Sequence, residues 1–153
     1  MAKEKIERYF PGLVGEEWRI TSESDPGYNC LAFAVFDTHQ FWDPGMVGLP
    51  GYYWPPDAPR ENSLQAWVNA FEIHDFQISE SGDIEPETEK IAIYVDQNGV
   101  PTHVARQLPD GKWTSKLGKA QDIEHNSPQS LESELYGKAA VFMMRQLSKQ
   151  DSD

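Results

Sequence analysis

With 153 residues the chain has the length of one domain, and an aliphatic, aromatic and cysteine content of 39% suffices for one packed core. A formal net charge of −12 repels phosphate backbones and anionic lipid, so neither nucleic acid nor membrane is an expected partner; such a surface suits a basic protein partner. No apolar run of about 18 residues could span a bilayer, and the one cysteine excludes an internal disulfide.

The first residues, Met1 to Arg8, carry charges and no apolar stretch, so no secretory signal is expected, and the expected location is the cytoplasm, with export by a dedicated route as the alternative. Asp25-Pro26-Gly27 signals a turn, and Asn29 is a good N-cap for the apolar run Cys30 to Phe36. That run is apolar all round, so as a helix it is buried, and Asp43-Pro44-Gly45 stops it. A loop rich in Pro, Gly and aromatics follows from Gly48 to Pro59. Asn62-Ser63 opens a second helix through Phe71, whose apolar residues Leu64, Trp67, Val68 and Phe71 fall at helical spacing. The acid-rich run Glu80 to Glu89 reads as a solvated loop.

Strands fill the second half. Lys90 to Val95 reads as a buried strand, Asn98-Gly99 as its turn, and His103 to Leu108 as the next strand. Asp110-Gly111 leads into Lys112 to Lys116, and Ala139 to Arg145 closes the sheet. Helices first and strands later predict an α+β domain rather than alternating units. One domain is expected over residues 1–153, with its core from about 10 to 146 and a polar tail at 148–153.

The chemistry that stands out is a thiol. A cysteine nucleophile acts as its thiolate, and the first turn of a helix favours that anion through free N–H groups and the macrodipole. Cys30, directly after an Asn cap, occupies that position; a lone cysteine in an apolar segment also serves simply as a packing residue. A base must lie within hydrogen-bond reach. His39 is nine residues on, half a turn out of phase at about 100° per residue. His74 lies in a short polar stretch after the second helix, and His125 between Glu124 and Asn126. His103, at the start of a strand, is the best-placed partner.

Tyr28-Asn29-Cys30-Leu31-Ala32-Phe33-Ala34 resembles the nucleophile helix of papain-like and NlpC-type cysteine peptidases. Thr102-His103-Val104-Ala105-Arg106 and the following Gly111 to Gly118 resemble their histidine strand and the strand beside it. A closer likeness is to an uncharacterised bacterial domain family of that superfamily. Its Tyr-Asn-Cys helix, Trp-Pro loop, His-x-Ala strand, Trp-x-Ser-Lys-Leu-Gly segment and later Ile-x-His fall here at 28–32, 54–55, 103–105, 113–118 and 123–125. The resemblance implies a papain-like fold, with the Cys30 helix packed on an antiparallel sheet. It also implies a thiol hydrolase or acyltransferase acting on amide bonds of a peptide or protein substrate. Cys30 is then the nucleophile, His103 the base, and Ser115 or His125 the group that orients the imidazole, with Asp122 and Asn126 as outside candidates. Asn29, and Trp54 in the aromatic loop, are the candidate substrate contacts; more often, such aromatics pack a long loop onto the core. The alternative is an acidic binding module that kept the fold without the chemistry. No HExxH, paired CxxC or EF-hand pattern occurs, so neither metal nor cofactor is expected.

Overall fold

The computed structural model describes residues 2–25, 27–37, 39–117 and 120–147; Pro26 of the predicted turn, Gly118 and the polar tail at 148–153 lie outside them. Among the described residues, three α-helices, α1 (Ala2–Tyr9), α2 (Cys30–Ala34) and α3 (Leu64–Ile73), accompany nine strands. These are β1 (Arg19–Ser22), β2 (Phe41–Trp42), β3 (Tyr52–Tyr53), β4 (Gln77–Ser79), β5 (Thr88–Val95), β6 (Pro101–Gln107), β7 (Trp113–Lys116), β8 (Asp122–His125) and β9 (Lys138–Gln146). Seven of them form one antiparallel sheet in the order β1-β8-β7-β6-β5-β9-β4, and β2 and β3 make a separate short parallel pair. The domain is therefore α+β, with an antiparallel sheet. Among the described residues, no helix is long and apolar enough to cross a membrane.

The helix starts follow local chemistry. The Asn29 side chain accepts the Ala32 N–H and the Ser63 hydroxyl accepts the Ala66 N–H, each satisfying an amide that the first turn leaves free. The end of α2 differs from expectation. It stops at Ala34, well before Asp43, because Phe36 takes a left-handed backbone (φ 66°) and the Asp37 N–H turns back to the Ala32 carbonyl. The Arg106 guanidinium caps this end: Nη1 donates to the Phe33 carbonyl at 2.8 Å while the group lies over the Phe33 and Phe36 rings.

Strand alternation divides the core into two layers. Ile91, Ile93 and Val104 join Leu31, Phe33, Trp42, Trp67 and Phe71 in a cluster beneath α2 and α3. Ala92, Tyr94, Ala105, Trp113 and Ile123 join Ile6, Phe10, Leu13, Trp18 and Leu131 in the other, beneath α1. With both faces covered, β5 is almost continuously buried. The acid-rich run before it is not wholly solvated. Glu85 pairs with the buried Lys90, and Glu89, itself buried, pairs with Arg145.

Candidate active site around Cys30

Cys30 is the first residue of α2 and borders a cleft of about 560 Å³, inside the usual ligand-pocket range. Asn29, Trp42, Asn62, Trp67 and Thr102 are among the residues that line the cleft with it. The N–H groups of Val104, Leu31 and Cys30 itself point at the sulfur, and the Lys116 ammonium adds a favourable charge. Burial outweighs all of them and pushes the thiol up to about 11, so the resting sulfur is protonated at neutral pH. The Val104 contact sets the sulfur against the peptide link that begins at His103.

His103 differs from expectation. Alternation along β6 sends Val104 toward α2 and turns the His103 ring into the other layer, between Tyr94 at 5.3 Å and Tyr136 at 4.2 Å. Among the described residues, no hydrogen bond joins Cys30 to His103. The ring is 1% exposed and its Nε2 has no hydrogen-bond partner. Burial, with His125 nearby, holds this imidazole well below its ordinary range, so it is neutral.

Neither predicted orienting residue reaches His103. Ser115 Oγ and His125 Nε2 are bonded to each other at 2.8 Å, and both residues are fully buried. The cause is register. Ser115 pairs with Ile123 and Trp113 with His125, so the two side chains share one face of the β7–β8 ladder.

The two expected substrate contacts are both engaged within the fold. The Asn29 amide is spent within the fold: Oδ1 accepts the Ala32 and Trp42 N–H groups, and Nδ2 donates to the Trp42 carbonyl at 2.7 Å. Trp54 is 1% exposed, with its indole N–H on the Pro59 carbonyl, so it is a core residue that anchors its loop rather than a groove wall. His74 also has more context than its polar neighbours suggest. Its ring packs on Trp42 at 4.9 Å, Tyr53 Oη lies 3.4 Å from its Nε2, and burial, followed by Arg145, lowers its pKa.

Two residues near the thiol stand outside the expected site, Lys116 although it falls within the Trp-x-Ser-Lys-Leu-Gly segment. Lys116 is buried, with Nζ on the Ala120 carbonyl and 5.0 Å from the centre of the Tyr28 ring, whose hydroxyl donates to Asp122 at 2.9 Å. Tyr136 stacks parallel to His103, with 5° between the ring planes. The only sequence signal for Tyr136 is the Gly137 that follows it. That glycine has a positive φ of 75°, and a Cβ there would overlap the Val95 carbonyl oxygen.

Among the described residues, no cluster of three or more His, Cys, Asp or Glu side chains could hold a metal ion. Compared with known proteins, residues 19–144 match the model of a family described as a domain of unknown function, DUF7689. No curated protein and no solved structure matches the chain.

Proposed function

The chain belongs to the DUF7689 family, to which no activity is attached, and from its own site we propose that it is a papain-like thiol hydrolase or acyltransferase acting on amide-type acyl groups of a peptide or protein. The observation that carries the reading is the setting of Cys30: a residue lining a cleft, its sulfur ringed by the amides of a capped helix start and of the His103–Val104 link. A second feature supports it. A buried ring nitrogen without a partner costs about 1–3 kcal/mol, and His103 Nε2 is such an atom. A role in proton transfer gives that cost a purpose.

Because burial keeps both groups neutral, the pair works by general base catalysis rather than as a preformed ion pair. Transfer requires a shift of the helix start that brings the thiol to the imidazole, since the two make no hydrogen bond at rest. As the sulfur attacks the acyl carbon, the S–H proton passes to His103 and the C–S bond forms. The oxyanion draws on the Cys30 N–H. Collapse breaks the C–N bond, and the amine leaves with the proton from the imidazolium. Water, or an acceptor amine, then releases the acyl group from sulfur, with His103 again taking and returning the proton.

The test is iodoacetamide labelling of the folded chain at neutral pH, with the modified residue located by mass spectrometry. His103→Ala should slow labelling of Cys30, whereas His39→Ala, at an exposed position, should not. Resistance of Cys30 until unfolding, or equal rates in all three folded proteins, would favour the second reading. In that reading the chain is a binding module whose Cys30 is a packing residue, consistent with the missing Cys30–His103 bond.

A further inference from the structure

We propose that Tyr136 is the positioning residue of this site, its ring stacked on His103 to fix the plane of the imidazole and to favour its protonated form during transfer. The inference rests on the thiol–imidazole reading and assigns the orienting task that neither Ser115 nor His125 performs.

The geometry is specific. The two rings lie 4.2 Å apart and within 5° of parallel, and Tyr94 flanks His103 at 5.3 Å with a tilted ring. An imidazole with no hydrogen bond at Nε2 has nothing polar to fix that end of its ring, so the aromatic faces set its plane. The Tyr136 backbone is anchored independently of its ring. Its carbonyl accepts the Thr102 hydroxyl, its N–H donates to Ser133 Oγ at 3.2 Å, and the Ser133–Gly137 bridge closes the loop around it. Thr102 precedes His103 and lines the Cys30 cleft, so this anchor ties the stacked ring to the strand and to the cleft at once.

The electronic effect has the right sign. When His103 accepts the Cys30 proton it becomes a cation, and the face of a phenol ring attracts a cation where the edge would not. The titratable groups that act on the stacked pair are His125 on β8 and Tyr94 on β5, about His103, and Cys30 on α2, about Tyr136. His125 is neutral, its pKa near 4, so it does not oppose the cation with a charge of its own. In addition to burial, a thiolate at Cys30 would hold the Tyr136 phenol further up.

The experiment is the pH profile of Cys30 alkylation by iodoacetamide in the full chain and in Tyr136→Leu, Tyr136→Phe, His103→Ala and the Tyr136→Leu/His103→Ala double variant. Loss of the stack in Tyr136→Leu should lower the neutral-pH rate by about fivefold and move the rise of the profile to higher pH. Tyr136→Phe, which keeps the ring face, should restore most of that rate. In the double variant, Tyr136→Leu should add nothing to the effect of His103→Ala. If His103→Ala slows alkylation but Tyr136→Leu does not, the positioning role is wrong and the thiol–imidazole pair stands. If His103→Ala itself has no effect, the pair is wrong. A Tyr136→Phe rate as low as that of Tyr136→Leu would assign the effect to the hydroxyl and overturn the stacking argument. Should Tyr136→Leu not fold, ring NMR of the full chain and of Tyr136→Phe decides. A single neutral His103 tautomer with ring-current-shifted C–H signals in both supports the stack, and unshifted or exchanging signals overturn it.

Discussion

Ser115 Oγ lies 2.8 Å from His125 Nε2 in a bond sealed from solvent between β7 and β8. The Ser127 carbonyl, 2.8 Å from Nδ1, can only accept, so Nδ1 carries the proton and the Ser115 hydroxyl donates to Nε2. His125 is thereby locked neutral, and burial, only partly offset by the Ser127 carbonyl, brings its pKa down from 6.5 to about 4.

That depression makes the fold acid-sensitive. Between 6.5 and about 4 the unfolded chain binds a proton that the folded chain refuses. The stability linked to His125 is therefore complete above 6.5 and is lost as pH falls through the folded value. The total loss is about 3 kcal/mol, and His103, also depressed, acts in the same direction. Urea midpoints measured from neutral pH down to the carboxylate range should fall steadily before the carboxylates titrate. A flat response across that window would contradict the buried neutral histidines.

Removing the hydroxyl alone should be costly. Ser115→Ala leaves Nε2 of a buried imidazole without its donor, which costs about 1–3 kcal/mol. Chemical denaturation should register the loss. Cys30 labelling by iodoacetamide should change far less than with His103→Ala, since Ser115 bonds His125 and not His103.

Asn29→Ala should loosen the start of α2. The substitution removes the helix cap and both bonds to the Trp42 backbone, a loss of about 2 kcal/mol or more. Because the same residue holds the β2 loop against the cleft, the Cys30 amide should exchange with deuterium faster. Unchanged stability and exchange would show that Trp42 is held by its ring contacts alone.

Gly137→Ala tests the loop that carries Tyr136. The added Cβ meets the Val95 carbonyl oxygen, a backbone atom that cannot swing away, at a residue with φ of 75°. A loss above about 2 kcal/mol is expected, read from the thermal midpoint. An alanine accepted with no loss would mean that the loop can detach from the end of β5.

The charge of −12 predicts no useful affinity for duplex DNA or anionic vesicles near physiological salt. Binding in the micromolar range would overturn this and point to a local basic surface that the net charge conceals.

The sequence by itself determined what depends on a few neighbouring residues. Asn29 and Ser63 cap helices because their oxygens reach amides three residues on. Asn98-Gly99 turns because glycine accepts a φ of 79°, and β5, β6, β7 and β9 follow from apolar patterning between such turns. Edge strands β1 and β4 are short and largely exposed and carry no such pattern; their conformation comes from pairing with β8 and β9. Only the tertiary structure decided which face each side chain occupies. A strand pattern says that His103 and Val104 point opposite ways, but not which of them meets α2. Register joins Ser115 to His125, and the closure of the Ser133–Gly137 loop lays Tyr136 on His103. Trp54 likewise ends in the core because its indole finds an acceptor and the core has room for its ring. These outcomes depend on contacts between distant segments, and local composition carries no record of a partner that arrives from thirty or seventy residues away.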